Sequence, residues 1–325
     1  MAHALRLARR GLGNVWPNPA VGCVLLRDGR VVGRGWTQPG GRPHAERMAL
    51  DAAGADAAGA TAYVTLEPCA HHGRTPPCAE GLVGAGIARV VTALTDPDPR
   101  VAGRGHAMLR AAGIPLTEGM LADQAADLQA GFLLRITARR PFVTLKLASS
   151  LDGRIAMASG ESRWITGPQA RAHVHALRAQ HDAILVGGGT ARADRPHLNV
   201  RGIATPQQPV RIVLSAQALP PMPPQDADHG PLWRVEGPPD RVLADLAGRG
   251  LTRVFCEGGG RLAASLMTAG LVDQVVGYTA GLVLGAEARP FLGATGWAAL
   301  ADAPRFRLVE SRAIGGDLFH RWRRI

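Results

Sequence analysis

The chain has 325 residues, of which 46% are hydrophobic and 4% aromatic, and it carries a formal net charge of +11. This length predicts two domains at roughly 150 residues each, and the apolar content excludes a disordered chain. Its four cysteines (Cys23, Cys69, Cys78 and Cys256) are too few for a disulfide scaffold. No apolar run approaches the ~18 residues that a membrane-spanning helix needs.

The positive charge resides almost entirely on arginine, because Lys146 is the only lysine. A nucleic-acid partner would account for such a charge. However, the arginines are spread along the chain and aromatic stacking platforms are scarce, so we expect a small anionic substrate and neither nucleic acid nor membrane as partner. Lys146 has two interpretations: a remnant of an arginine-rich composition, or a position where a compact ammonium group is needed.

The first residues, MAHALRLARRGLG, are amphipathic and rich in arginine, as in a transit peptide. They contain no serine and lead directly into a segment with motifs, so we predict that they form the first helix of a cytoplasmic protein.

The first half of the chain predicts an α/β layer fold with the order β-β-α-β-α-β. Residues 21–36 predict a hairpin, since two apolar runs flank the tight-turn pair Asp28-Gly29. Four further elements are then predicted: a helix (43–54) that starts with Pro43 and ends at a glycine, a strand (60–69), a second helix (76–86) and a third buried strand (88–97).

Residues 131–141 interrupt this pattern, and we place a domain boundary near residue 140. A second α/β pattern follows, with the Pro-rich residues 206–239 predicted as surface loop. The predicted elements, in chain order, are a strand and turn (141–153), an amphipathic helix (170–182), a strand with a glycine turn (183–190), a strand (211–215), a strand–turn–helix unit (252–271), a strand (273–285) and a closing hairpin (306–324).

One histidine and two cysteines have the spacing of a metal site. His44 and Glu46 lie in PHAE at the start of a predicted helix, and Cys69 and Cys78 each follow a proline. Helix N-termini favour thiolates, the form that binds metal. One imidazole and two thiolates would leave the fourth zinc position open for water, as in catalytic sites. Glu46 could then move protons to and from that water. A disulfide between the two thiols is the alternative.

His-x-Glu followed by Pro-Cys is the pattern of zinc-dependent nucleobase deaminases, whose second half usually reads Pro-Cys-x-x-Cys. Here eight residues separate the cysteines. With PNPAVGCV (17–24), PHAE (43–46) and TLEPCAHHGRTPPC (65–78) in this order, the segment resembles the deaminase half of the bifunctional riboflavin-biosynthesis deaminase/reductases, in which this spacer is extended. The resemblance implies zinc ligands at His44, Cys69 and Cys78, Glu46 as proton donor and acceptor, and substrate contacts at Asn18, His71 and Arg74.

Several of these residues also have plain structural interpretations. Asn18 could be a turn residue of PNP, and we interpret His72 as structural. Cys23 and Cys256 lie in predicted strands, so we expect both to be small core residues.

Two glycine turns, residues 187–189 and 258–260, each lie between a predicted strand and a helix, where backbone amides can approach phosphate. Neither matches G-x-G-x-x-G, so these residues alone indicate only a nucleotide or phosphate site. However, VTLKLASSLDGRIA, SGESRWIT, AILVGGGT and CEGGGRLAASL resemble the reductase half of the same family, whose fold is like dihydrofolate reductase.

That resemblance implies NADPH as cofactor and places Lys146 at the reaction centre. It implies NADPH contacts at Ala148, Trp164, Thr190, Asp194, Ser215, Gly259, Gly260, Arg261, Leu262, Ala263, Ala264 and Ser265. It implies substrate contacts at Ser162, Arg178, Leu198, Arg201 and Glu257, and the two arginines suit a ribose phosphate because guanidinium groups bind phosphate bidentately. One departure occurs at residues 194–196, where the family commonly has Asp-Asp-Pro and this chain has Asp-Arg-Pro.

We therefore expect a cytidine-deaminase-like three-layer domain (1–138) that uses zinc and a dihydrofolate-reductase-like domain (141–325) that uses NADPH. Together they would deaminate and then reduce a phosphorylated pyrimidine in riboflavin biosynthesis, in a homo-oligomer. Two rivals stay open: an RNA-editing deaminase with a nucleic-acid-binding domain, which the charge favours, and a zinc-stabilised binding protein without chemistry, against which Glu46 and the open ligand position argue.

Overall fold

A computed structural model of the protein describes residues 1–72 and 76–325, which divide into two compact units, Met1–Arg139 and Arg140–Ile325. Each unit is built around its own sheet, and each is described by itself below.

The described part of the first unit contains a five-stranded mixed sheet. Its strands are β1 (Gly22–Arg27), β2 (Arg30–Trp36), β3 (Thr61–Val64), β4 (Arg89–Thr92) and β5 (Leu116–Thr117), in the order β2-β1-β3-β4-β5. The neighbours of β1 are antiparallel to it, whereas β3, β4 and β5 are parallel. The helices are α1 (Ala2–Ala8), α2 (Ala45–Ala53), α3 (Cys78–Gly84), α4 (Arg104–Ala111) and α5 (Ala122–Thr137), and short 3₁₀ turns span Arg9–Gly11, Pro39–Gly41 and Gly54–Ala57.

The hairpin of β1 and β2 confirms the prediction made from Asp28-Gly29. Both turn residues have positive φ, 50° and 74° respectively, as a two-residue hairpin turn of the mirror-image type requires. Helix α1 is also confirmed. Gly35 lets α2 lie directly on β2, because a Cβ atom at this position would approach the carbonyl oxygen of Ala45 to 2.1 Å. This close packing fixes the start of α2, where the predicted zinc ligand lies.

Two predictions for the first unit are wrong in detail. Pro43 is not the first helical residue: His44 is the extended N-cap of α2, and the proline precedes it. The interruption predicted from residue 131 is helix up to Thr137, because α5 buries Leu128 and Phe132 one turn apart on the core side. The arginine-rich sequence at its end hid this periodicity.

The second unit contains, in its described residues, an eight-stranded sheet and a two-stranded one. The large sheet has the order β10-β9-β8-β11-β6-β12-β15-β14, parallel from β10 to β12 and antiparallel beyond, and the small sheet pairs β7 with β13. The strands are β6 (Phe142–Ser150), β7 (Arg154–Ala156), β8 (Ala183–Gly187), β9 (Val210–Leu214), β10 (Leu232–Val235), β11 (Arg253–Cys256), β12 (Gln274–Ala280), β13 (Arg289–Pro290), β14 (Phe306–Ile314) and β15 (Asp317–Arg324). The helices are α6 (Pro168–Arg178), α7 (Gly188–Asp194), α8 (Pro239–Gly248) and α9 (Gly260–Thr268).

The elements predicted for the second half are present, including the closing hairpin of β14 and β15. The Pro-rich segment differs from its prediction as surface loop, since it contains the edge strand β10 and leads into α8, which the sequence analysis missed. A four-residue edge strand leaves little periodicity to detect, and α8 starts with Pro239 at its first position, where proline is tolerated. Cys23 and Cys256 are completely buried in the cores, as predicted.

None of the helices in residues 1–72 and 76–325 combines the length and apolar character that crossing a bilayer requires.

Candidate active sites

The starts of two helices bring the predicted zinc ligands together. His44 caps α2, Cys78 is the first residue of α3, and Cys69 lies in the loop after β3. His44 Nδ1 lies 3.3 Å from Cys78 Sγ and 3.7 Å from Cys69 Sγ, and all three ligand atoms lie within 4.8 Å of one another. Zn–S bonds of about 2.3 Å and Zn–N bonds of about 2.0 Å in a tetrahedron place ligand atoms roughly 3.5–3.8 Å apart. The cluster therefore fits a zinc ion.

The thiols are polarised as metal ligands need to be. The hydrogen bond with the Cys78 side chain lowers the pKa of the Cys69 thiol to about 4, against the opposing effect of burial. The same hydrogen bond raises the pKa of Cys78, and the hydrogen bond to Cys69 raises that of His44. The backbone N–H of Cys78 also donates to Cys69 Sγ at 3.3 Å. Cys69 is thus the sulfur of the pair that ionises more readily. All four cysteines are free, so the disulfide alternative is not realised.

Glu46 lies in the first turn of α2, two residues after the predicted ligand His44, and is 4% exposed. Burial, reinforced by the neighbouring Cys69 thiolate, raises the pKa of its carboxyl group to about 7. A carboxyl group with a pKa near neutrality can both accept and donate a proton under working conditions.

The loop that carries Cys69 is anchored by Glu67, a residue that the sequence analysis did not single out. Its buried carboxylate accepts hydrogen bonds from backbone N–H groups at the start of α4 and in the preceding loop, at 2.9–3.2 Å, those of Asp96, Gly103, Gly105 and His106. The Glu-Pro-Cys sequence places Glu67 two residues before the predicted ligand Cys69, and only the fold shows which backbone groups Glu67 binds.

The other residues that the sequence analysis discussed for this site lie in different surroundings. Asn18 packs against Gly41, where a Cβ atom would approach its Nδ2 to 1.8 Å, so the asparagine adjoins the segment that leads to His44. His71 has a buried Nδ1 without a hydrogen-bond partner among the described residues. His72 is exposed and pairs with Glu80 at 3.0 Å, which agrees with a structural role. Arg74 lies outside the described residues.

The second unit contains a cleft of about 1460 Å³ on the side of the sheet where the parallel strands end. The predicted residues that line it are Lys146, Ala148, Ser162, Trp164, Arg178, Thr190, Asp194, Leu198, Arg201, Glu257, Gly259, Gly260, Arg261, Leu262 and Ser265. Arg195, the departure from the family pattern, lines it as well. The cleft is thus formed by segments that are far apart in the chain, from β6 to α9.

Three predicted cofactor residues lie behind the cleft surface. Ala263 and Ala264 are buried on the core side of α9, and Ser215 is buried behind the glycine turn, 3.4 Å from Arg192 Nη1. A helix turns its side chains through 100° per residue, so a continuous run such as 259–265 cannot all face one cavity.

A group of charges lies within the cleft. Arg178 donates two hydrogen bonds to Glu257, Nε to Oε1 at 2.5 Å and Nη2 to Oε2 at 3.1 Å, and Lys146 Nζ lies 4.0 Å from Glu257 Oε2. Burial alone would raise the pKa of Glu257, but Arg178 and Lys146 outweigh it, so the pKa is lowered and the carboxylate is ionised. Burial lowers the pKa of Lys146, against the attraction of Glu257. A lysine in this setting gives up its proton more readily than one in water.

The two predicted phosphate-binding arginines are joined through Asn199. Arg178 Nη1 donates to the Asn199 carbonyl oxygen at 2.7 Å, and Arg201 Nη1 donates to Asn199 Oδ1 at 3.2 Å. His175 Nδ1 accepts from the backbone N–H of Arg201 at 3.1 Å, and burial lowers the pKa of His175 to about 4, so this histidine is neutral. Neither His175 nor Asn199 was singled out from sequence, because no motif marks them.

The two glycine turns lie side by side at the C-terminal ends of β8 and β11. The N–H of Gly259 donates to Thr190 Oγ1 at 3.2 Å. A Cβ atom on Gly188 would approach Ser215 Oγ to 2.4 Å, and one on Gly258 would approach Leu262 Cδ2 to 2.6 Å. A side chain at position 188 would therefore collide with Ser215, whereas one at position 258 would displace the end of the Leu262 side chain; with glycine, the backbone of both turns lines the cleft, as a nucleotide site needs.

Family models match both halves of the chain. Residues 1–94 match the cytidine and deoxycytidylate deaminase zinc-binding region, and residues 141–320 match the RibD C-terminal domain.

Proteins similar to the whole chain are also known. The riboflavin biosynthesis protein RibD of Haemophilus influenzae is 44% identical over 98% of this chain and 95% of its own length, and that of Escherichia coli is 44% identical over 98% and 96%. Among solved structures, Acinetobacter baumannii RibD has a TM-score of 0.90 at 40% identity, over 100% of this chain and 97% of its own. A Thermotoga maritima protein described as a diaminohydroxyphosphoribosylaminopyrimidine deaminase/5-amino-6-(5-phosphoribosylamino)uracil reductase has a TM-score of 0.87 at 34% identity, with the same coverage.

Proposed function

The chain belongs to the RibD family of bifunctional deaminase/reductases of riboflavin biosynthesis, and from this premise we propose which reaction each site carries out and which residues perform it. Zinc is the cofactor of the deaminase domain and NADPH that of the reductase domain, and the folds are cytidine-deaminase-like and dihydrofolate-reductase-like. We assign the deaminase domain to residues 1–138 and the reductase domain to residues 141–325.

The first reaction is hydrolysis of the 2-amino group of 2,5-diamino-6-ribosylamino-4(3H)-pyrimidinone 5′-phosphate. Water adds to C2, the C2–N bond breaks and ammonia leaves, which gives 5-amino-6-(5-phosphoribosylamino)uracil. His44, Cys69 and Cys78 hold the zinc, which when bound supplies the Lewis acidity that makes water nucleophilic near neutral pH. The observation that carries this assignment is the clustering of the three ligand atoms within 4.8 Å beside the buried Glu46.

Glu46 moves the protons of this reaction. It accepts one from the attacking water and donates one to the leaving amino group, which its pKa of about 7 permits in both directions. Asn18, beside Gly41, orients the pyrimidine ring, and His71 offers an unpaired Nδ1 to a polar group of the substrate. Arg74 is assigned to the substrate by resemblance alone.

The second reaction reduces C1′ of the ribosyl group to the ribityl product, 5-amino-6-(5-phosphoribitylamino)uracil. NADPH, when bound, supplies the hydride for C1′. The C1′–O4′ bond breaks with its electron pair moving to O4′, and Lys146 donates the proton that O4′ requires. Glu257 holds the Lys146 ammonium group in place at 4.0 Å and is itself held by Arg178.

Substrate and cofactor occupy different parts of the cleft. Arg178 and Arg201, joined through Asn199, bind the ribose phosphate, and Ser162 and Leu198, which also line the cleft, contact the substrate. The two glycine turns with Thr190 face the cofactor, together with Ala148, Trp164, Asp194, Arg261, Leu262 and Ser265. Ser215, Ala263 and Ala264 support these turns from behind, so we assign them a positioning role.

The two-site assignment is tested with Glu46→Ala. We expect this variant to release no ammonia from the diamino substrate while it oxidises NADPH normally on the deaminated substrate. Glu46→Gln is the matched control, because it keeps the size of the buried side chain and removes only its proton chemistry. Loss of both activities in a folded Glu46→Gln protein, or of neither, would contradict two separate sites.

We further propose a cytoplasmic homo-oligomer that acts on small phosphorylated pyrimidines. The edge strand β14 exposes Leu308 and Val309, 46% and 45% exposed respectively, which supports association of chains. Light scattering measures the number of subunits.

The alternative function, an RNA-editing deaminase, predicts salt-dependent RNA binding at micromolar concentration, and we expect no such binding.

A further inference from the structure

Residues 216–231, between β9 and β10, form a loop that contains neither helix nor strand. Arg211 of β9 anchors this loop. Its side chain is completely buried and donates hydrogen bonds to the carbonyl oxygens of Pro223 and Pro224 at 3.0 and 2.7 Å. A third hydrogen bond from Arg211 reaches the carbonyl oxygen of Gly230 at 3.0 Å. The side chain of this buried arginine, in the part of the chain that the structure describes, donates its hydrogen bonds to loop carbonyls and so anchors the loop to β9.

The loop contributes two residues to a hydrogen-bonded series that ends at the cleft. Asp226 Oδ1 lies 2.7 Å from His229 Nδ1, and His229 Nε2 lies 2.9 Å from His197 Nδ1. His197 lines the cleft with Arg178 and Arg201. The loop also reaches Arg201, because Asn199 donates to the Asp228 carbonyl oxygen at 2.9 Å and accepts from Arg201.

The hydrogen positions in this series follow from the acceptor at its end. An ionised carboxylate only accepts, so His229 Nδ1 carries its hydrogen toward Asp226, and in the neutral ring His229 Nε2 is then an acceptor. His197 Nδ1 must then donate to it. This leaves His197 Nε2 as the one ring nitrogen of the series with no hydrogen-bond partner in the part of the chain that the structure describes.

We propose that Asp226, His229 and His197 form a relay that makes His197 a third ligand, beside Arg178 and Arg201, of a phosphomonoester bound in the reductase cleft. This inference rests on the proposed phosphate-binding role of the two arginines. The second pKa of a phosphomonoester is about 6, close to that of histidine. A hydrogen bond between His197 Nε2 and a phosphate oxygen therefore forms whether the imidazole or the phosphate carries the proton.

The charged groups around His197 disfavour its protonation in the absence of a bound anion. Burial, His229 and the guanidinium groups of Arg201 and Arg211 lower the pKa of His197. The hydrogen bond from His229 lowers the pKa of Asp226, so this carboxylate is ionised at neutral pH. Binding of a dianion at the arginines adds negative charge beside His197 and thus favours its protonation, so phosphate binding takes up a proton.

Two molecules carry such a group into the cleft: the pyrimidine substrate, with its ribose 5′-phosphate, and NADPH, with its 2′-phosphate. Ribose 5-phosphate and adenosine 2′-phosphate are therefore the two probes, with ribose and adenosine as phosphate-free controls. Binding to the full-length protein is measured by calorimetry in two buffers of different ionisation enthalpy, which yields the affinity and the number of protons taken up. Any binding at the deaminase site is common to all variants and cancels in the comparison.

We expect His197→Ala to weaken the binding of one of the two phosphate probes about tenfold and to abolish the proton uptake that accompanies this binding. The probe that is affected identifies the source of the phosphate. His229→Phe, which keeps an aromatic ring next to His197 but breaks the relay, should give a smaller loss of affinity with loss of proton uptake. His3→Ala, a histidine of the first unit, should match the wild type.

The outcomes separate this inference from the proposed function. If the wild type binds a phosphate probe and the folded His197→Ala protein binds both probes equally well, the relay is not a phosphate ligand, whereas the cleft assignment stands. If the wild type binds neither probe, the phosphate-binding role of Arg178 and Arg201 is itself wrong. If His229→Phe retains full proton uptake, His197 acts without the relay.

Discussion

The two sites of this protein are constructed in different ways. The proposed zinc site draws its ligands and its proton carrier from residues 44–78, at the starts of two neighbouring helices and in the loop after β3. The reductase cleft draws on segments from Lys146 to Gly293, brought together by the ends of parallel strands. A compact site of metal ligands has few residues and large individual effects, whereas a distributed cleft divides its binding among many contacts. Substitutions should therefore affect the two sites to different degrees.

The largest effect is expected from removing a zinc ligand. Cys69→Ser should reduce the zinc content from about one ion per chain to nearly none and ammonia release by about 1000-fold or more, because two remaining ligands hold zinc poorly. Metal analysis of the purified protein and an ammonia assay measure both. NADPH oxidation on the deaminated substrate should change less than about twofold, since metal loss is confined to one site.

Cys23→Ala is the matched control for this experiment, because Cys23 is completely buried in the same unit but is not part of the ligand cluster. It should retain zinc. Stoichiometric zinc in Cys69→Ser would contradict the ligand assignment.

The reductase cleft should be most sensitive at Lys146. We expect Lys146→Met to lower kcat for NADPH oxidation by about 100- to 1000-fold through loss of the proton donor, with ammonia release unchanged. Steady-state kinetics on the deaminated substrate measures this effect. It would show that one residue of the distributed site carries chemistry rather than binding.

Lys146→Arg decides between the two interpretations of the single lysine. Arginine keeps the positive charge beside Glu257 but cannot release a proton. We therefore expect Lys146→Arg to lower kcat for NADPH oxidation nearly as much as Lys146→Met does. Recovery of most of the activity in Lys146→Arg would mean that only the charge matters.

The second unit should also respond to acid through a buried histidine outside the cleft. Burial lowers the pKa of His181 to about 3, and its ring nitrogens bond to the Leu177 carbonyl oxygen and Thr144 Oγ1. Its folded pKa lies below the unfolded value of about 6.5, so below pH 6.5 the unfolded chain binds a proton that the folded chain cannot. The free energy of unfolding should therefore fall by about 1.4 kcal/mol for each pH unit between about 6.5 and 4.

Urea unfolding at pH 7 and pH 5, followed by a signal from the second unit, tests this expectation. In His181→Gln the part of the pH dependence due to this ring should disappear, while the protein is less stable at pH 7. An unchanged difference between the two pH values in His181→Gln would show that other groups cause it.

The smallest effect is expected at the glycine turn. Gly188→Ala places a Cβ atom 2.4 Å from Ser215 Oγ, whereas Gly189→Ala places one in open space. We expect Gly188→Ala to shift the turn and weaken NADPH binding about tenfold, a loss near 1.4 kcal/mol. Gly189→Ala is the matched control and should bind NADPH within about twofold of the wild type, measured by cofactor fluorescence. Equal affinities for the two variants would show that the cofactor does not depend on this turn.

Much of the fold could be predicted because its signals are local. Asp28-Gly29 specifies the hairpin of the first unit, and the apolar runs of β8 and β11 are bounded by glycine turns. The misses lie where local signals are weak or conflicting. The four-residue strand β10 pairs with β9 inside a segment rich in proline, and the last turns of α5 carry arginines that mask its buried face. Pairing with a distant strand and burial against a core decide such cases.

The sequence by itself was enough to predict the zinc site, because His44, Glu46, Cys69 and Cys78 are marked by residue type and by short spacings within two motifs. It also indicated that a phosphate or nucleotide binds in the second half, through its glycine turns. Only the tertiary structure decided which side chains surround that ligand. It buried Ala263 and Ala264 away from the cleft and joined Arg178 and Arg201 through Asn199. It also brought His229 against His197 across 32 residues of chain. Helix rotation, strand order and loop anchoring set these contacts, and none of them leaves a pattern in neighbouring residues.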